Sequence, residues 1–134
     1  MSECMNSINF KHYFKENMES LGLPVPSSLF DSFNTAIATA AVIGEAVSLQ
    51  GSHITLGQAI AAQSRMASLK IAAGISASFY VGAVIGSIAI ATGRSLSCGA
   101  SIADALAIAR TNGIYGMWLE YEFVRHPKLL QAQV

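Results

Sequence analysis

Residues 74–86 read GISASFYVGAVIG and place a small residue at every fourth position: Gly74, Ser78, Gly82 and Gly86. Residues four apart share one face of a helix, so as a helix this stretch keeps one face nearly bare over three turns. Glycine in a helix interior costs about 1 kcal/mol relative to alanine, and its recurrence here requires something that offsets the cost. Close approach of a second backbone would do so.

The stretch lies inside a longer apolar run. From Ile71 to Gly93 there are 23 consecutive uncharged residues, bracketed by Lys70 and Arg94. As a helix that run extends about 34 Å, enough to cross a hydrocarbon core of about 30 Å. Upstream, residues 29–49 (LFDSFNTAIATAAVIGEAVSL) repeat the four-residue period with Ala36, Ala40, Gly44 and Ser48. Two matching small-residue stripes suit helix packing in a bilayer, where association rests on close van der Waals contact and on Ser or Thr hydrogen bonds. The first segment is the weaker span, because it carries Asp31, Asn34 and Glu45, and an acidic side chain at mid-helix costs about 2.5–3.5 kcal/mol on insertion scales. Glu45 lies near its end, where it either lines a cation path or ends the apolar segment in the headgroups.

Composition points the same way. Charged residues make up 12% of the 134, roughly half the ~25% of an ordinary soluble domain, and the length suits one unit with a real core. Eight basic and eight acidic side chains give a net charge of zero, which leaves no electrostatic footprint for nucleic acid. Cys4 and Cys98 have no CxxC or Cys/His spacing, so neither a disulfide scaffold nor zinc is indicated. The N-terminal MSECMNSINFKHYFKENMES lacks the apolar core of a cleavable signal peptide.

The remainder reads as helices. Residues 1–26 form an amphipathic segment, with a helix over 4–21 that stops at Gly22 before Pro24 and Pro26. Ser27 or Ser28 is the expected cap of the next helix. Gly51, Ser52 and His53 make a turn, and Thr55 with Gln58 forms a capping box for a short helix up to about Leu69. Ser101 with Asp104 starts a helix that stops at Asn112 and Gly113, and a last helix over 114–125 ends at Pro127. The expected fold is therefore all-α and a single unit: a hydrophobic hairpin over 29–93 and C-terminal helices over 100–126. It is either a helical membrane hairpin or a compact helical bundle built around a central apolar helix at 71–93. For a hairpin, Lys11, Lys15, Arg94, Arg110, Arg125 and Lys128 lie on the side of the termini and Arg65 and Lys70 on the loop side, which directs the termini to the cytoplasm when insertion comes from within.

Catalytic patterns are missing. His12, His53 and His126 are isolated in sequence, with no HExxH and no metal-ligand spacing. GAVIGSIAIATG, residues 82–93, has neither the GxGxxG spacing nor a GKS or GKT ending. Ser95, Ser97 and Cys98 have no GxSxG elbow. Glu120 and Glu122 fall about 200° apart on a helix and make no dyad. Tyr115, Trp118 and Tyr121 form either an interfacial anchor or a packed aromatic face. No enzyme, cofactor or metal is expected.

The glycine-zipper pattern GISASFYVGAVIG, preceded by ATAAVIGEAVS, resembles the small pore-forming effectors that bacteria deliver by type VI secretion, and it is similar to the hydrophobic hairpin of pore-forming colicins. The resemblance covers about residues 34–93, in a chain much shorter than colicins and without their long charged helices. It implies a toxin that stays soluble with a chaperone or secretion carrier, then inserts into a target cell's inner membrane, homo-oligomerises and dissipates ion gradients; an immunity protein is a further implied partner. On that reading the helix-packing and pore residues are Gly74, Ser78, Gly82, Gly86, Ala36, Ala40, Gly44 and Ser48, with Glu45 lining the path. The alternatives are a small non-conducting integral membrane or immunity-type protein, and a soluble helical interaction module.

Overall fold

The computed structural model describes residues 10–61, 74–92, 100–114 and 116–130. Seven α-helices are present among them: α1 (Phe10–Ser20), α2 (Ser27–Phe30), α3 (Phe33–Gln50), α4 (Leu56–Ile60), α5 (Ala77–Ala91), α6 (Ile102–Thr111) and α7 (Met117–Arg125). A 3-10 turn, Pro127–Leu130, follows. The described residues contain no strand; an isolated antiparallel bridge joins Thr55 and Ser76.

Local signals start and stop these helices. Gly22 adopts φ +77°, and the Leu23 N–H donates to the Met18 carbonyl while that of Gly22 donates to Glu19. This is a Schellman stop, which needs a residue able to enter the left-handed region. The same arrangement ends α6, where Gly113 has φ +76° and the Ile114 N–H reaches the Ala109 carbonyl. Capping boxes open α4 at Thr55 with Gln58 and α6 at Ser101 with Asp104.

Three sequence expectations need correction. The long helix of the first apolar segment is capped by Ser32, whose hydroxyl pairs reciprocally with Thr35, not by Ser27 or Ser28. Those two instead open the one-turn α2, which directly follows Pro26. The last helix begins at Met117 after the extended Gly116, three residues later than expected. Gly74 lies in a turn ahead of α5, which is capped by Ser76. The expected helix past Ala61 toward Leu69, the ends of the 71–93 run, Cys4, Cys98 and Tyr115 lie outside the described residues.

Helix α5 is the axis of the structure. Fourteen of its fifteen residues are buried, the half-buried Phe79 being the exception. A helix apolar around its whole circumference has to be covered on every side, and here α1, α3, α4, α6, α7 and the 3-10 turn all pack on it. Burying a Val, Leu or Ile side chain contributes about 1.5–3 kcal/mol, so Val81, Val84, Ile85 and Ile88, all buried, give α5 a large share in holding the fold together. Helix α1 presents Phe14, Asn17 and Met18 to the interior, and Phe14 stacks on Phe30 of α2 with centroids 5.3 Å apart. Two backbone bonds, Leu56 N–H to the Ile75 carbonyl and Ala77 N–H to the Ile54 carbonyl, tie the start of α4 to the start of α5. No described helix is long and apolar enough to cross a membrane.

Candidate functional site

The bare face of α5 is filled by the chain's own C-terminal segment. A Cβ placed on Gly82 would lie 3.2 Å from Leu129 Cδ1 and 3.4 Å from Glu122 Cβ. On Gly86 it would lie 3.1 Å from the Leu129 carbonyl carbon, collide with that carbonyl's oxygen and sit 3.3 Å from Leu130 Cδ2. Glycine at these two positions therefore admits α7 and the 3-10 turn onto α5, and burial of Leu129 and Leu130 offsets the helix-propensity cost noted above. The Ala100 N–H donates to the Leu130 carbonyl at 2.7 Å and fastens the end of the turn.

Ser78 holds the other end of the stripe. Its hydroxyl donates to Glu122 Oε2 at 2.8 Å, within reach also of the Ser52 carbonyl at 3.3 Å, and Ser76 Oγ lies 3.1 Å away. His126 Nε2 lies 3.8 Å from the other carboxylate oxygen of Glu122, and the Phe79 ring meets the His126 imidazole edge to face at 5.0 Å. Glu122 is buried on the inner face of α7 with Leu119 and Phe123. A buried carboxylate is costly unless hydrogen-bonded, and Ser78 supplies that bond. In a nucleophilic serine site an imidazole contacts the hydroxyl; here the carboxylate stands between them, and the arrangement is a polar fastener between α5 and α7.

Of the stripe expected over Gly74, Ser78, Gly82 and Gly86, the last three line this contact. Gly74 does not join it: the glycine is exposed, with nothing within 4 Å of an added Cβ. On α3, Ala36 and Ala40 are fully buried in the core, while a Cβ placed on Gly44 would lie 3.1 Å from Ile114 Cγ2 and 3.7 Å from the Trp118 ring. Ser48 and Glu45 are exposed, and with Gly44, Ile114 and Trp118 they border a surface cleft of about 390 Å³. The two sequence stripes therefore do not meet as matched faces: one receives the C-terminal segment, the other is divided between the core and an open cleft.

Two buried polar contacts, those of Asn17 and Glu122, are not foreseen in the sequence. Asn17 Nδ2 donates to Ser87 Oγ at 2.7 Å between α1 and α5, while Asn17 Oδ1 has no hydrogen-bond partner among the described residues. The signal was its place between Phe14 and Met18 on the apolar face of α1. Glu122 carries a similar signal, since Leu119, Glu122 and Phe123 share one helix face. Tyr80 is fully buried and donates to the Pro24 carbonyl at 2.6 Å; burial pushes its hydroxyl well above the ordinary phenol value. No described group of three or more His, Cys, Asp or Glu residues is arranged to hold a metal ion. In comparisons with known proteins, no family model, no curated protein and no solved structure matches the chain.

Proposed function

We propose that this is a membrane-active, non-enzymatic helical protein whose compact form keeps an apolar helix sheathed, and which inserts, self-associates and dissipates ion gradients in a bacterial inner membrane. The observation that carries the reading is α5 itself: apolar on every side, buried along its length and centred in an uncharged run of 23 residues. Its covering elements include α1, which carries Lys11, Lys15, Glu16 and Glu19, and so supplies the polar exterior that the central helix lacks. In this reading the lipid bilayer is the partner, a carrier or chaperone is a second, and Gly82 and Gly86, released from Leu129, become the face through which copies associate.

The test is release of potassium and protons from vesicles by purified protein. Release by the wild type supports the reading, and its absence from vesicles that carry bound, inserted protein overturns it. One observation favours a second reading, a soluble helical interaction module: the small-residue face is occupied inside the chain by Leu129 and Leu130. Protein that stays in the soluble fraction after carbonate extraction of target membranes, with no ion release, would establish that alternative over the first.

A further inference from the structure

We infer that the outward face of α7, formed by Met117, Tyr121 and Val124, with Arg125 at its edge and Lys128 in the turn that follows, is the surface through which the folded bundle docks on an anionic lipid bilayer. Helix α7 is apolar on two sides. Leu119 and Phe123 face the core, whereas Met117 is 79% exposed, Tyr121 64% and Val124 57%. Their spacing of four and three residues confines them to an arc of about 60° at about 100° per residue. A single exposed apolar side chain needs no explanation, but a stripe of three on one helix marks a contact surface.

The flanking charges identify the partner. The Arg125 guanidinium lies 6.0 Å from the Tyr121 ring centroid; Arg125 is exposed at the C-terminal end of α7, and Lys128 is exposed in the 3-10 turn that follows. Glu120, also exposed, borders the opposite edge. A tyrosine ring suits the boundary between acyl chains and headgroups, and arginine and lysine beside it reach lipid phosphates, each contributing about 1 kcal/mol near an anionic surface. An apolar helix face with a cationic flank has the composition of an interfacial helix. The inner face of the same helix covers Gly82, so docking brings the sheath of α5 into contact with the bilayer.

This inference deepens the membrane reading and rests on it, and the test separates the two. The full chain is co-sedimented with vesicles of phosphatidylcholine alone and of phosphatidylcholine mixed with phosphatidylglycerol. Wild type should bind the anionic vesicles about tenfold or more tightly, Met117→Ser/Val124→Ser should lose binding to both, and Arg125→Gln/Lys128→Gln should lose the preference between them. All four side chains are exposed, and unchanged circular dichroism checks that the fold is kept. Equal binding by wild type and Met117→Ser/Val124→Ser overturns the inference. So does wild type that ignores both vesicles but forms a dimer that the same variant dissolves, since the face then contacts a second copy. Potassium release that does not depend on these residues removes the docking face and leaves the membrane reading standing; vesicle binding that depends on them without release does the reverse.

Discussion

Gly86 of α5 faces the main-chain carbonyl of Leu129, 43 positions further along the chain, with no space for a methyl group between them. Contact of this kind is made by backbone with backbone, which only a residue without Cβ permits. It explains why a helix in the middle of the protein tolerates glycine where alanine would favour helix formation.

Substitution should follow the space at each glycine. Gly86→Ala must displace main chain and should cost about 1–3 kcal/mol. Gly82→Ala meets the end of a flexible leucine at 3.2 Å and should cost less. Gly74→Ala meets nothing and should be neutral or stabilising by up to about 1 kcal/mol. Urea unfolding followed by circular dichroism ranks the three, and equal effects at positions 74 and 86 would contradict the packing described.

The Ser78–Glu122 bond predicts a coupled pair. Ser78→Ala should destabilise by about 1.5–3 kcal/mol, because it removes a hydrogen bond to a buried charged group. With Glu122→Gln the two changes should couple by about 0.5–3 kcal/mol in a double-mutant cycle. Additive effects would mean that the 2.8 Å contact fastens nothing.

Tyr80 gives the pH dependence. Its hydroxyl loses a proton less readily in the folded chain than in the unfolded one. Below the ordinary phenol value of about 10 both states keep the proton and nothing changes. Above it the unfolded state releases the proton first, so stability falls with rising pH, by up to about 1.4 kcal/mol per unit. Tyr80→Phe should be less stable at neutral pH, through loss of the bond to Pro24, and should flatten this alkaline decline. An unchanged alkaline slope in the variant would assign the decline to other groups.

Much of the helical framework was legible because its signals are local. Gly22, Gly51 and Gly113 mark stops at positive φ, and the boxes at Thr55/Gln58 and Ser101/Asp104 mark starts. The N-terminus of α3 was misread because Ser27, Ser28 and Ser32 are all acceptable caps, and the choice depends on where Pro26 lets a helix begin. What fills the stripe could not be read at all: periodicity shows that a face is bare, not which distant segment lies on it. The Gly86–Leu129 and Ser78–Glu122 contacts both span more than forty positions, beyond the reach of any spacing rule.

The central claim, that α5 is sheathed in the compact form and enters lipid in the active one, is tested most directly by a reporter on that helix. Phe79→Trp in a Trp118→Phe background leaves one tryptophan, three residues from the midpoint of the 71–93 run and so about 5 Å from the bilayer centre if that run spans. Lipids brominated deep in their acyl chains should quench its fluorescence in vesicles more strongly than lipids brominated near the headgroup. Bound protein whose tryptophan is quenched by neither would show that α5 stays sheathed, and would contradict the claim.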